Sequence, residues 1–199
     1  MRSTLDQLRT ALASAYPLTL LVSPEEERLE RLLRRFAGAA RPDELPIRVW
    51  NCVDGFQAAE GDAHLDPVEA LEWVADGGPR GFYLFKDLGE YLGDRRLVRK
   101  LRDTAMRVRN SGRFLFLMAD SARLPDLLKP LSYVVISLFP DDSELRAVVS
   151  TMLKERISAD LGERLVTALK GMSLTEAEHL LRRLLERHAT LDEAFFAEV

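Results

Sequence analysis

Five short apolar runs recur along the chain: Leu18–Val22, Ile47–Val53, Phe82–Phe85, Phe114–Met118 and Tyr133–Phe139. Each has strand length, is rich in β-branched or aromatic residues, and lacks the regular polar alternation of a sheet with one wet face. Strands of this kind are covered on both faces, as in a parallel sheet held between layers of helix. The stretches between them do not read as hairpin turns but as amphipathic helices, so the chain predicts an alternating, parallel α/β sheet.

The helices announce themselves by their starts. Ser23-Pro24-Glu25-Glu26 reads as a capping box with proline in the first turn, ahead of Leu29, Leu32, Leu33 and Phe36 on one face. Asp66-Pro67-Val68-Glu69 has the same form before Leu71 and Val74. Leu97, Leu101, Ala105 and Val108 form the stripe of a further helix, ended by Asn110-Ser111-Gly112. Asp141 or Asp142 opens another, with Leu145, Val148, Val149 and Met152 inward, and an amphipathic segment at 4–15 precedes the first strand. Beyond about residue 155 the strand signals stop. Leu161–Lys170, a helix opened by Ser173-Leu174-Thr175-Glu176, and a third from Asp192 form a small helical appendage. The expected division is an α/β domain over 1–155 and a helical, lid-like subdomain over 156–199.

Composition narrows the function. The 28 basic and 32 acidic residues leave a net charge of −4, and 47% of residues are hydrophobic, which excludes disordered and fibrous classes. A single cysteine, Cys52, excludes a disulfide framework and a multi-cysteine metal site; the end of its apolar run reads as buried and inert. The three scattered histidines, His64, His179 and His188, offer no metal set. No apolar run is long enough to span a bilayer, and residues 1–16 lack a signal-peptide core, so a reducing, cytoplasmic setting is expected.

A five-stranded α/β body followed by a helical unit resembles the AAA+ ATPase module. That resemblance implies a phosphate loop, G-x-x-x-x-G-K-[ST], directly after the first strand. Here Leu18–Val22 runs instead into Ser23-Pro24-Glu25-Glu26-Glu27-Arg28, without glycine or lysine and with three carboxylates where phosphate charge would go. Glutamates suit a helix N-terminus but repel a triphosphate there. No such motif occurs elsewhere in the chain. The third strand, which the resemblance would end in an acidic pair, ends in Lys86-Asp87-Leu88, and the fourth ends in Ala119-Asp120-Ser121 where a polar sensor would stand. Ser23, Asp87 and Asp120 are thus a candidate vestigial site, each with an ordinary turn-capping role as its plainer reading. No catalytic residue, cofactor or metal is assigned.

More specifically, the chain resembles the N-terminal domain of a bacterial and plastid AAA+ family whose first ATPase-like domain lacks a phosphate loop and is followed by an active one. The residues that carry the likeness are Tyr16-Pro17-Leu18, Pro24-Glu25-Glu26-Glu27-Arg28, Trp50 with Asp54-Gly55, and Pro67-Val68-Glu69-Ala70-Leu71-Glu72. Phe85-Lys86-Asp87-Leu88, Arg99-Lys100-Leu101-Arg102-Asp103, Leu138-Phe139-Pro140-Asp141 and Lys170-Gly171-Met172-Ser173-Leu174-Thr175-Glu176 continue it in order. Ending at Val199, the chain is either an N-terminal fragment or a standalone protein of this half alone. The resemblance implies a catalytically inactive regulatory or interaction module, partnered by an AAA+ domain in cis or trans or by a client protein. A second reading rests on the basic stretch 94–113. There Arg95, Arg96, Arg99 and Arg102 form a candidate partner surface that would instead serve nucleic acid, as in the non-hydrolysing subunits of clamp loaders. No aromatics interleave with these arginines, which disfavours a stacking platform for single strands. The plainest reading of the same arginines is a solvated face balanced by acids such as Glu25–Glu27.

Overall fold

A computed structural model describes residues 3–40, 46–56, 64, 66–153 and 157–188. Helix α1 (Thr4–Ala13) leads to β1 (Leu18–Val22), α2 (Glu26–Ala40), β2 (Ile47–Asn51), β3 (Gly55–Phe56), α3 (Pro67–Asp76), β4 (Gly81–Phe85), α4 (Arg95–Val108), β5 (Arg113–Ala119) and β6 (Ser132–Ile136). Helices α5 (Asp142–Leu153), α6 (Ala159–Ala168) and α7 (Leu174–Arg187) follow. The sheet order is β3-β2-β4-β5-β1-β6, parallel throughout except for the β2–β3 pair.

The continuous apolar character of the strands is explained by what covers them. All five residues of β1 and of β4 are buried. Leu18, Leu20 and Val22 face one core with α3 and α4, whereas Leu21 faces the other with α1 and α2. Alternation therefore sorts side chains between two dry faces rather than between core and water.

The sheet has a sixth strand that the sequence reading did not contain. Ile47–Val53 does not run on as one strand: it ends at Asn51 and reverses through Cys52–Asp54 into β3. The Asn51 Oδ1 accepts from the backbone N–H groups of Val53 at 2.9 Å and Asp54 at 2.8 Å, an Asx turn that closes the hairpin. The reversal brings Cys52 to the surface, correcting the expectation that it is buried.

The helical division also falls earlier than residue 155. The chain forms two compact units, Met1–Ser137 and Leu138–Val199. Helix α5 belongs to the second because Leu145, Val149 and Leu153 share one apolar core with Leu165, Leu169, Leu181 and Leu184 of α6 and α7. Ser173 caps α7 through the expected capping box with Glu176. The helix expected from Asp192 lies outside the described residues.

Candidate functional site

In open α/β sheets, ligands bind beyond the carboxyl ends of the strands. Because β4, β5 and β1 are neighbours, that edge brings together the residues singled out as a vestigial site: Ser23 after β1, Asp87 after β4 and Asp120 after β5. Each is occupied differently. Ser23 is buried; its backbone N–H extends the ladder to the Ala119 carbonyl at 3.0 Å, and its Oγ accepts from the Glu25 N–H at 3.0 Å. Asp87 accepts from the Cys52 N–H at 2.9 Å, tying the β2 turn to the end of β4. Asp120 is exposed.

The expected capping box at Ser23 does not form, and the reason is strand pairing. The Ser23 N–H is already committed to β5 and cannot meet a glutamate side chain. Glu26 turns instead to Lys86, whose Nζ lies 2.8 Å from Glu26 and 2.7 Å from Glu30. Burial opposes charge on both partners, yet the contacts with the opposite charge outweigh it. The Glu30 carboxyl is held below its ordinary range by Lys86 and Arg34, and Lys86 is held above its own by Glu26 and Glu30.

Beside this cluster lies a second, deeper one that the sequence reading missed. Arg28 is 2% exposed; its Nε stands 2.8 Å from Glu25 Oε2. Its Nη2 donates to the carbonyl and, at 3.1 Å, to the Oγ of Ser137 beyond β6. The Ser137 Oγ also lies 2.7 Å from the Thr4 Oγ1 of α1. Thr4, Ser137, Arg28 and Glu25 thus form one buried polar chain that joins the ends of β1 and β6 to α1 and α2. Only three residues, Ser23 to Glu25, separate β1 from α2. The short strand-to-helix junction after β1 thus carries the protein's own cation–carboxylate pairs.

The basic helix α4 is the second candidate surface. Asp94 caps it by accepting from the Arg96 N–H at 2.7 Å. Its acid partners are not Glu25–Glu27, of which Glu25 serves Arg28 and Glu26 serves Lys86, but come from α3 and from α4 itself. Lys100 pairs with Glu72 at 3.2 Å, Arg107 with Asp76 at 2.5 Å and Arg99 with Asp103 at 2.8 Å, with Arg102 3.9 Å from Asp103. Arg95 and Arg96 are exposed in the first turn, where α4 carries no acidic residue. Among the described residues, no group of His, Cys, Asp and Glu could hold a metal ion, and no helix is long and apolar enough to cross a membrane.

The sheet order and the helical unit that follows it are those of the AAA+ class, and solved structures share that fold. Rhizobiales Trip13 superimposes with a TM-score of 0.62 at 15% identity, covering 94% of this chain and 75% of that one. A chain of the E. coli MS115-1 HORMA:CdnC:Trip13 complex gives 0.61 at 12%, covering 92% and 71%. Domain III of the Thermotoga maritima replication initiation protein DnaA gives 0.58 at 13%, covering 97% and 87%. In sequence, the AAA domain-containing protein ycf46 of Trieres chinensis is 26% identical over 196 residues, and that of Pyropia yezoensis 22% over 193. These alignments cover 94% and 93% of this chain but 39% of each relative, so the chain spans well under half the length of its curated relatives. The chain belongs to the SpoVK-like AAA ATPases: the model of their N-terminal domain matches residues 4–136 and that of their second domain residues 143–199. The gap between the two matches brackets the division seen in the fold at Ser137.

Proposed function

We propose that this chain is a non-hydrolysing AAA+-like module that regulates or docks to an AAA+ ATPase domain or a client protein. The carrying observation is the edge beyond β1, where Arg28 and Lys86 are neutralised from within by Glu25, Glu26 and Glu30. A triphosphate there would meet three glutamates and would have to break both clusters. The α4 arginines supply the docking surface for an acidic partner. Exposed Arg95 and Arg96 lead it, and Arg99 and Arg102 extend it along the helix. The longer relatives, named for an AAA domain, support a partner domain in cis.

The test is phosphate release from Mg–ATP by the purified chain. Release at the no-protein level is expected, with or without the Asp87→Asn substitution. Turnover that Asp87→Asn abolishes would overturn the reading. The unpaired arginines at the start of α4 also favour a second reading, in which the surface serves nucleic acid. Duplex DNA affinity that falls steeply with salt, and disappears when Arg95, Arg96 and Arg99 become glutamate, would establish it in place of the protein-docking reading.

A further inference from the structure

The opposite edge of the sheet, at the amino ends of β1, β4 and β5, holds a cavity of about 290 Å³. It lies far along the strands from the sealed junction. Three arginines stand on its wall: Arg80 from the loop before β4, Arg109 from the end of α4, and Arg113 from the first position of β5. Leu12, Tyr16 and Phe114 form the apolar side. Among the described residues, no carboxylate lines it. The acids of α3 that might have neutralised it are engaged along α4, Glu72 with Lys100 and Asp76 with Arg107. Among the described residues, no ion pair involves Arg80, Arg109 or Arg113.

Two helix ends shape the cavity. Of three non-glycine residues with positive φ among those described, two line it: Ala15 at 53° and Asn110 at 62°. Each stands just beyond the C-cap of its helix, α1 or α4, where a left-handed residue ends the helix, and the Ala15 N–H donates to the Leu12 carbonyl at 3.2 Å. Gly112, at φ 79°, packs against Arg80 so closely that a Cβ would stand 2.4 Å from its Nε, so the glycine makes room for the guanidinium. Arg113 is anchored by donating from Nη1 to the carbonyls of Val74 at 3.2 Å and Ala75 at 3.0 Å, at the negative end of α3. Its Nε is buried with no hydrogen-bond partner. Tyr16 is braced by Tyr133, with ring centroids 5.7 Å apart. One anchored arginine with two more beside it and an aromatic wall is a combination suited to binding rather than to packing alone.

From this we infer that the amino-end cavity binds a small phosphorylated molecule with a flat apolar body, of the nucleoside monophosphate class. The phosphate engages the arginines and the ring lies along Tyr16 and Phe114. Its volume sits at the small end of ligand pockets, which suits one ring system with one phosphate and excludes a long chain. A dianion matches three uncompensated cations better than a carboxylate does. The site stands apart from the sealed edge and does not depend on the docking reading.

The test is calorimetric titration of the full chain with adenosine 5′-monophosphate, adenosine and inorganic phosphate at low salt. One-to-one binding of the monophosphate is expected, with adenosine and inorganic phosphate each at least tenfold weaker. Arg80→Glu with Arg109→Glu, both exposed and outside the core, should weaken the monophosphate at least tenfold with an unchanged melting curve. Lys86→Ala, at the far edge, should leave binding unaltered. No saturable binding, equal affinity for adenosine or for phosphate alone, or indifference to the double charge reversal would each overturn the inference.

Discussion

A guanidinium that is 2% exposed needs nearly all of its donors matched, and Arg28 is matched by Glu25 and Ser137. Deleting one side of such a pair strands the other, whereas deleting both need cost little. Arg28→Met should therefore destabilise the fold by about 3–5 kcal/mol in urea denaturation, because Glu25, itself 8% exposed, loses its buried cation. Adding Glu25→Gln should recover much of that loss. A double variant no more stable than Arg28→Met would mean that the pair does not act as a unit. The three glutamates and the missing glycine were legible in the sequence and already argued against phosphate. Their partners were not, because Lys86 lies 60 residues from Glu26 and Ser137 109 from Arg28. Pairing at that range is decided by strand order. Cys52 was misjudged for the same kind of reason: an apolar run says nothing of where a strand must turn when an asparagine side chain can close the hairpin.

Past its Asp94 cap, helix α4 runs against its own dipole. Its first turn holds Arg95 and Arg96 and no acid, where acidic residues are favoured by about 0.3–1 kcal/mol each. Nothing in the unit's packing requires arginine there, since the buried stripe of Leu97, Leu101, Ala105 and Val108 lies on the other side. Replacing both by glutamate is thus expected to raise thermal stability while removing the docking surface. A fall in the melting temperature would show that the arginines support the fold rather than a partner. At this scale the sequence was most readable. Caps at Asp66 and Ser173 form where their residue types foretold, because N-caps act within three residues. Ser23 is the exception, since its N–H belongs to a strand pairing that local pattern cannot reveal.

The two units differ in what each can sustain alone. Residues 1–137 enclose a sheet with apolar cores on both faces, one under α3 and α4 and one under α1 and α2. Among the described residues of 138–199, three helices share a single core. A segment of that size hides only about 60% of its unfolded surface, against about 68–70% for a domain near 150 residues. Helices of 10 to 14 residues are also marginal in water without tertiary support. The isolated segment 1–137 is therefore expected to unfold in urea as one cooperative transition, and the isolated segment 138–199 to melt broadly at lower temperature. Circular dichroism and denaturation of the two fragments decide it. An unfolded 1–137 would show that α5 completes the sheet's core, as the division near residue 155 had it. A cooperative 1–137 would instead confirm that the helix after β6 belongs to the helical unit. The apolar period of Leu145, Val148, Val149 and Met152 was plain in the sequence, but a period names a buried face without naming its partner, and only the packing of α5 on α6 and α7 assigns it.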